Sequence, residues 1–301
     1  MTFATLDIGS NTVRMLIGEY SEGRLQPYAY ERHITRLAGG YSVESGLSDA
    51  AMNRTLSALK SFSLQLQQKN ITCLRAVGTA ALRQAVNQNE FINNVRQSTG
   101  FIIDIIDGDE EAQLTATGVL SVISPPAENA LIFDIGGGST ELILVIAGNT
   151  VVQQSYPLGV VRLAEGYNDK MQRQQVIDSA LIDFYGLASA SCLSDRSIEL
   201  IGTAGTITTL AAMHLGMNRY DPLRINNHRL SVQWLKELYD RLEPMTTSDR
   251  EKLPGMEQGR GDLILPGLQL AICICDLFGI SDLKASDAGL LEGVFLDACR
   301  D

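Results

Sequence analysis

The chain contains two short glycine-containing patterns twice, and this internal duplication limits its fold more than any other feature. Asp7-Ile8-Gly9-Ser10 returns as Asp134-Ile135-Gly136-Gly137, 127 positions later. Gly78-Thr79-Ala80 returns as Gly202-Thr203-Ala204, 124 positions later. Two separate matches at nearly one offset predict two copies of one fold, each with an Asp-x-Gly turn and a Gly-Thr turn. Two such copies facing each other across a cleft would place amide donors and carboxylates on both walls, as a phosphate and metal site requires.

The size and charge of the chain exclude several classes of protein. Its 301 residues suit two medium domains, each with a core of its own. Its net charge of −11, without a dense run of Lys or Arg, argues against binding to nucleic acid or to an anionic membrane. The longest apolar run, residues 263–280, contains Pro266 and Asp276 and predicts a buried helix rather than a membrane span. A phosphorylated substrate stays compatible with this charge, because metal ions and backbone amides can make one site locally positive.

The cysteines and histidines predict a reduced, cytoplasmic protein without a histidine-based metal site. The five cysteines are Cys73, Cys192, Cys273, Cys275 and Cys299. They show no metal-type spacing, and an odd number in a chain of this length indicates reduced thiols. The chain opens on an apolar strand without the pattern of a signal peptide. The histidines, which share no ligand spacing, are His33, His214 and His228.

The apolar periodicity predicts the same order of elements in both halves. In the first half we expect strands at 2–8, 12–20, 24–32, 71–77 and 101–106, and helices after Ser48, at 80–96 and after Asp109. In the second half we expect strands at 130–135, 141–146, 151–156, 198–201 and 283–286, and helices at 171–192, 206–215, 232–241, 261–278 and 289–299. Ser124-Pro125-Pro126 is predicted to be a linker. An antiparallel meander followed by βα units gives an α/β fold with a mixed sheet covered by helices, twice.

The Asp-x-Gly turns are the first candidates for chemistry. Asp7 and Asp134 each end an apolar strand, and carboxylates are the ligands that Mg²⁺ prefers. The glycines at 136–138 can adopt positive φ and let backbone amides approach a phosphate. The alternative is that Asp-Gly and Gly-Gly only make hairpin turns. The matching pair of turns downstream favours the phosphate and metal site.

The Gly-Thr turns and nearby charged residues are the second set of candidates. Each Gly-Thr turn joins a buried strand to the start of a helix, where free N–H groups favour phosphate. Arg83, one turn into the first of these helices, either reaches a phosphate or lies on a solvated helix face. Glu110 and Glu111 stand in the first turn of a helix, where acidic residues are favoured whatever the function. Glu141, taken alone, is typical of a surface strand.

These motifs together resemble the exopolyphosphatase and guanosine pentaphosphate phosphohydrolase (Ppx/GppA) family, within the actin-like, sugar-kinase and chaperone-ATPase superfamily. The resemblance runs over nearly the whole chain, and the string from Asp134 to Glu141 is its most specific part. The segments that carry it are Asp7 through Arg14, Arg36 through Ser48, Thr79 through Ala85, Gly108 through Ala112, Asp134 through Glu141, Gly202 through Thr206, and Gly289 through Gly293.

The resemblance implies a fold and a division into domains. Both domains are expected to be ribonuclease H-like, with mixed sheets, helices and the active site in the cleft between them. The first domain is expected over 1–124 and the second over 125–286. The helix within 287–301 is expected to return to the first domain.

The resemblance also implies removal of a terminal phosphate with Mg²⁺ or Mn²⁺. Glu111 is expected to be the general base that activates water. Asp134 and Glu141 are expected to hold the metal or position the attacking water, with Asp7 as a further metal ligand. The residues expected to bind the phosphate chain are Ser10, Asn11, Thr79, Arg83, Gly136, Gly137, Gly138, Ser139, Gly202, Thr203, Gly205 and Thr206.

Several functional readings stay open. The substrate is inorganic polyphosphate or guanosine pentaphosphate, which share a terminal phosphoanhydride. A kinase of the same superfamily is disfavoured, because no adenine-binding Gly-Gly-x₄-Pro-like turn is found. A non-catalytic polyphosphate or nucleotide sensor would have no need of Glu111 as a base. No nucleic-acid or membrane partner is expected, and a homodimer stays open.

The chain departs from the family pattern at a few positions. Ala38 stands where a glycine is usual, Leu291 replaces an arginine, and Gly261 interrupts an Arg-Ala-Asp motif. These changes affect the expected substrate contacts and not the proposed base or metal ligands. The chain is also expected to be a short, two-domain form, without the C-terminal helical domain that longer members use for long polyphosphate and for dimer contacts.

Overall fold

A computed structural model describes residues 1–167, 169–190 and 197–299. The described strands are β1 (Thr2–Ile8), β2 (Thr12–Ser21), β3 (Arg24–Ile34), β4 (Thr72–Gly78), β5 (Ile103–Ile105), β6 (Ala130–Ile135), β7 (Thr140–Ile146), β8 (Asn149–Tyr156), β9 (Glu199–Thr203), β10 (Arg229–Ser231) and β11 (Asp282–Ala285). The described helices are α1 (Asp49–Lys69), α2 (Ala80–Gln84), α3 (Gln88–Thr99), α4 (Gly108–Leu120), α5 (Val160–Gly166), α6 (Lys170–Ser189), α7 (Ala204–His214), α8 (Pro222–Ile225), α9 (Val232–Leu242), α10 (Thr247–Glu251), α11 (Ile264–Phe278) and α12 (Leu290–Ala298).

The chain divides into two compact units. The first contains Met1–Ser121 and the segment from Leu290 onward, and the second contains Val122–Gly289. Each unit has one mixed sheet, so the α/β class with two mixed sheets is confirmed.

The first unit is built on a sheet with strand order β3-β2-β1-β4-β5. The first three strands form the predicted antiparallel meander, and β4 and β5 join it in parallel. Ser48 caps α1 as predicted, because its Oγ accepts a hydrogen bond from the Ala51 amide. The buried stripe of α1, which includes Leu59 and Phe62, packs in the core of this unit.

The last helix, α12, completes the first unit. It packs against α4, and Leu290 and Val294 share a buried cluster with Val77 and Leu114. A Cβ atom at Gly293 would overlap the carbonyl oxygen of Leu114, so the two helices approach as closely as only glycine allows.

The second unit repeats the strand pattern of the first and extends it. Its sheet has the order β10-β11-β9-β6-β7-β8. The strands β6, β7 and β8 form an antiparallel meander, and β9 and β11 add in parallel, as β4 and β5 do in the first unit. The edge strand β10 pairs antiparallel with β11 and was not predicted, since three residues carry too little pattern.

Several predicted boundaries were wrong for local reasons. The helix expected at 80–96 is two helices, α2 and α3, because Ala85 is extended. The helix α4 is capped by Asp107, whose Oδ1 accepts from the Glu110 amide at 2.8 Å, and not by Asp109. The helix expected at 171–192 is described as α6, and Cys192 lies outside the described residues.

The described cysteines and helices bear on two further expectations. Cys73, Cys273, Cys275 and Cys299 are free thiols. Among the described helices, none is both long enough and apolar enough to cross a membrane.

Candidate active site

The two Asp-x-Gly turns have the same geometry. The amides of Gly9 and Gly136 each donate to the carbonyl three residues later at 3.0 Å. A Cβ atom at Gly9 would lie 3.9 Å from Asp7 Oδ1, and one at Gly136 would lie 4.0 Å from Asp134 Oδ1. Each carboxylate therefore lies beside its own turn, and the repeat seen in the sequence extends to atomic positions.

The backbone conformation of the triple-glycine loop, residues 136–138, differs from the one that the sequence predicts. None of Gly136, Gly137 and Gly138 has a positive φ, so that expectation was wrong. The loop passes so close to the start of α5 that Gly159 must be glycine, because a Cβ atom at Gly159 would overlap the backbone of Gly137 and Gly138. The loop carbonyls accept hydrogen bonds from the first amides of α5, with Val160 bonded to Gly136 at 2.9 Å.

The residues that face the two aspartates differ in charge. In the register of the first sheet Asp7 pairs with Arg14, whose Nη2 lies 2.7 Å from Asp7 Oδ2. In the same register of the second sheet Asp134 pairs with Glu141. Both acidic side chains are buried, with Asp134 7% and Glu141 2% exposed, so Glu141 is not the surface residue its strand pattern suggests.

Two facing buried carboxylates favour a cation between or beside them. Like charges directly opposite in a sheet repel, and burial strengthens the repulsion. Ser155 Oγ donates to Glu141 Oε1 at 2.8 Å, which orients this carboxylate but adds no charge. Within the described residues no group of three or more His, Cys, Asp or Glu side chains could hold a metal. The two carboxylates of Asp134 and Glu141 are nevertheless a donor set compatible with Mg²⁺, because this ion keeps several waters and is held by one or two carboxylates with substrate oxygens.

The first turn also contains buried oxygens that lack a hydrogen-bond partner. These are Asp7 Oδ1 and Asn11 Oδ1. A buried acceptor left unsatisfied costs about 1–3 kcal/mol, so a bound donor or cation is favoured here. The turn itself is held by backbone contacts, since Ser10 O accepts from the Ala38 amide at 2.8 Å and Asn11 O from the Arg36 amide at 2.9 Å.

The Gly-Thr turns place uncapped helix starts at the ends of β4 and β9. Thr79 and Thr203 are the N-cap residues of α2 and α7, and neither side chain bonds to a helix amide. Thr203 Oγ1 instead donates to the Ala288 carbonyl at 2.8 Å. The amides at the start of α7 therefore have no side-chain cap, which suits an anion.

The glycines of these turns have a packing role. A Cβ atom at Gly78 would lie 2.6 Å from Leu82 Cδ1, and one at Gly202 would lie 2.6 Å from Phe133 Cζ. The strands must therefore pass close to apolar side chains at these points. This reason holds whether or not a phosphate binds.

Arg260 is a charged residue near the second Gly-Thr turn that sequence reasoning did not assign. A Cβ atom at Gly205 would overlap its guanidinium group, so Arg260 lies directly against the first turn of α7. Its side chain is buried, and its Nε donates to Glu257 Oε2 at 2.5 Å. Arg260 belongs to the interrupted Arg-Ala-Asp motif, but its place against this turn is visible only in the fold.

The paired glutamates at the start of α4 have separate partners. Glu111 is 7% exposed, and its Oε2 accepts from Arg83 Nη1 at 3.0 Å. Arg83 also donates to the Ile106 carbonyl at 2.8 Å, so it is not a solvated helix-face residue. Glu110 bonds instead to Arg75 at 2.6 Å. Glu111 is therefore a buried carboxylate paired with Arg83, whereas Glu110 is a more exposed carboxylate paired with Arg75.

Two of the departures from the family pattern have packing explanations. Leu291 is buried against Leu16 and Phe295, where an arginine would not fit without rearrangement. A Cβ atom at Gly261 would lie 2.6 Å from the Thr247 carbonyl, so glycine is required by the close approach of α10. Both positions therefore have a reason in the core of this chain.

The fold defines an α/β protein with two mixed sheets, in which Asp-x-Gly and Gly-Thr turns recur at the strand ends. The model of the Ppx/GppA phosphatase family matches residues 16–300, and the chain belongs to this family. An Aeromonas salmonicida relative named guanosine-5'-triphosphate,3'-diphosphate pyrophosphatase is 30% identical over 97% of the chain and 58% of its own length. The chain thus spans little more than half of that relative.

Other relatives match over their whole length. Exopolyphosphatase 2 of Mycobacterium tuberculosis is 31% identical over 97% of both chains. The solved structure of an exopolyphosphatase from Cytophaga hutchinsonii has a TM-score of 0.87 and 25% identity, and covers 99% of this chain and 98% of its own. The Aquifex aeolicus member of the Ppx/GppA family has a TM-score of 0.79 and 26% identity, covering 100% and 98%.

Proposed function

We propose that the chain is an exopolyphosphatase, which hydrolyses the terminal phosphoanhydride of inorganic polyphosphate and releases orthophosphate. The observation that carries this choice of substrate is the match to exopolyphosphatase 2 of Mycobacterium tuberculosis, which extends over 97% of both chains. The reaction would depend on Mg²⁺ or Mn²⁺.

In this proposal Glu111 is the general base. It takes a proton from a water molecule as the water oxygen attacks the terminal phosphorus, and the bond to the bridging oxygen breaks. Orthophosphate leaves, and the shortened chain keeps the electron pair and the negative charge of the bridging oxygen. Arg83, bonded to Glu111 at 3.0 Å, supports this role because it holds the carboxylate in a fixed position. A positioned base contributes about 10²–10⁴-fold in rate.

The remaining residues of the proposal bind the metal and the phosphates. Asp134 and Glu141 would hold Mg²⁺, which supplies charge neutralisation to the transferring phosphoryl group. Asp7, whose Oδ1 is buried without a partner, is proposed as a further metal ligand. The residues proposed to bind the phosphate chain are Ser10, Asn11, Thr79, Arg83, Gly136, Gly137, Gly138, Ser139, Gly202, Thr203, Gly205 and Thr206.

Guanosine pentaphosphate is the second candidate substrate. It is favoured by the 30% identity to the Aeromonas relatives, and weakened because the chain spans only 58% of their length. A non-catalytic sensor of the same ligands is the third reading. The buried contact of Glu111 with Arg83 supports hydrolysis over this reading, because binding alone needs no base.

The test is phosphate release in the presence and absence of Mg²⁺ from long polyphosphate, short polyphosphate and guanosine pentaphosphate. Glu111→Gln should lose about 10²–10⁴-fold in turnover with substrate binding kept. Glu110→Gln is the matched control, because its carboxylate is adjacent in sequence but bonded to Arg75. Equal activity of both variants would refute the assignment of the base. Binding without release in the wild-type chain would favour the sensor.

A further inference from the structure

Two of the three histidines meet in the second unit. His214 is the last residue of α7, and His228 immediately precedes β10. His214 Nδ1 lies 2.8 Å from His228 Nε2, with 4.9 Å between the ring centroids. Their separation of 14 positions in the chain gives no metal-ligand spacing, which is why the sequence predicts no histidine site. Two imidazole nitrogens on different elements therefore converge on one point.

We propose that His214 and His228 form a binding site for a divalent cation of the zinc class, which includes Zn²⁺, Ni²⁺ and Cu²⁺. Imidazole nitrogen is a preferred ligand of these ions, whereas Mg²⁺ prefers oxygen. The site is therefore chemically distinct from the carboxylate pair of Asp134 and Glu141.

The two rings must separate and turn toward a common point to accept the ion. Two imidazole nitrogens at about 2.0–2.1 Å from a tetrahedral zinc ion lie about 3.3 Å apart. The nitrogens must therefore separate by about 0.5 Å from their hydrogen-bonded distance. The ring that now donates moves its proton to its other nitrogen, so both facing nitrogens offer lone pairs and no proton is lost.

The surroundings leave room for the rest of the coordination shell. The His214 side chain is exposed and that of His228 is half-buried, so water can fill the remaining positions. Within the described residues no third His, Cys, Asp or Glu completes the cluster, and Arg224 on α8 places a positive charge near His228. We therefore expect a weaker site than a structural one with three or four protein ligands.

The bound ion would connect the end of α7 to the edge of the sheet. The His228 carbonyl accepts from the Ala285 amide at 2.8 Å, at the end of β11. His214 lies about 16 Å along α7 from Thr203, at about 1.5 Å per residue. The histidine site therefore does not overlap the proposed phosphate site, and each can fail a test without the other.

A natural reporter lies beside this site. Trp234 is the only tryptophan of the chain, and its ring meets that of His214 edge to face with 4.6 Å between centroids. Titration with NiCl₂ or CuCl₂ should quench its fluorescence with saturation at one ion per chain, since both ions quench nearby indoles. Excess ZnCl₂ should compete with NiCl₂ and restore the emission, whereas CuCl₂ should bind more tightly than either, and MgCl₂ at the same concentration should not compete.

Variants separate the site from adventitious binding. His228→Gln keeps His214 against Trp234 and should weaken the quenching at least 10-fold in apparent affinity. His33→Gln, which changes an exposed histidine of the first unit, is the matched control and should bind as the wild type does. Unchanged quenching in His228→Gln, or no saturable quenching in the wild type, overturns the proposal.

A second measurement uses the wild-type chain, so its result does not depend on whether a variant folds. Diethyl pyrocarbonate modifies accessible imidazoles, and peptide mapping reports each histidine separately. ZnCl₂ should protect His214 and His228 and leave His33 as reactive as before. Equal modification of all three with and without ZnCl₂ would also overturn the proposal.

Discussion

Asp7 and Asp134 occupy equivalent positions, but the opposite strand supplies Arg14 to one and Glu141 to the other. The ion pair with Arg14 neutralises Asp7 within the chain itself. Asp134 and Glu141 place two acidic groups together, and Ser155 contributes only a neutral hydrogen bond. The duplicated turn therefore carries an acid–base pair in the first unit and a pair of acidic residues in the second.

The first prediction at this scale concerns Glu141→Gln. Like charges directly opposite each other in a sheet are destabilising, so the variant should be as stable as the wild type or slightly more stable without metal. It should also lose most of the rise in melting temperature caused by Mg²⁺, because a ligand that binds the folded state stabilises it. Thermal unfolding with and without MgCl₂ measures both effects.

Glu110→Gln is the control for this prediction, because it removes a carboxylate bonded to Arg75 and should keep the full response to Mg²⁺. A Glu141→Gln variant that is destabilised without metal and still responds fully to Mg²⁺ would contradict the assignment of Glu141 as a ligand.

Among the elements, α4 connects the proposed base to the core. Its N-terminal turn carries Glu111, and its middle packs against α12 through Leu114 and Gly293. The direction and depth of Glu111 therefore depend on a helix contact that contains no catalytic residue. Two substitutions test the two ends of this arrangement.

Gly293→Ala should destabilise the protein. The added Cβ atom would overlap the Leu114 carbonyl, so the helices must separate, and such overpacking costs about 1–3 kcal/mol. Urea denaturation measures the change. Gly186→Ala in α6 is the matched control, since its Cβ atom meets nothing within 4 Å and alanine favours a helix by up to about 1 kcal/mol. Equal midpoints for both variants would show that α12 does not constrain α4.

Substitutions of two aspartates test which residue caps the N-terminus of α4. Asp107→Ala removes the side chain that accepts from the Glu110 amide and should cost about 0.5–2 kcal/mol. Asp109→Ala, two positions on, removes no cap and should cost clearly less. The free energy of unfolding from denaturant titration compares them. A larger loss of stability for Asp109→Ala than for Asp107→Ala would indicate that Asp109 is the cap, as the sequence suggests. That result would contradict the structure.

Across the whole molecule, the repeated order of strands could be predicted from the sequence because duplicated turns and apolar periods are local signals. The cap at Ser48 and both meanders are of this kind. What could not be predicted depends on residues brought together from distant positions. Arg260 against Gly205, the separate partners of Glu110 and Glu111, and the contact of His214 with His228 leave no trace in spacing.

The first unit is formed by segments from both ends of the chain. The first unit begins at the N-terminus but includes α12, so its core is complete only when the last helix is present. The buried apolar side chains of α12 are Leu290, Leu291, Val294, Phe295 and Leu296. Each contributes about 1.5–3 kcal/mol by burial, and the total is comparable with the 5–15 kcal/mol stability of an ordinary domain.

Removal of residues 290–301 should therefore unfold the first unit, with the loss of its cooperative urea transition and increased binding of a hydrophobic dye. Phe295→Ala is the graded variant, and a fully buried phenylalanine should cost about 3–5 kcal/mol. Leu223→Ala is the control, because the Leu223 side chain is exposed and its loss should change little. A truncated chain that keeps the wild-type transition would show that the sheet and α4 of the first unit are stable without α12.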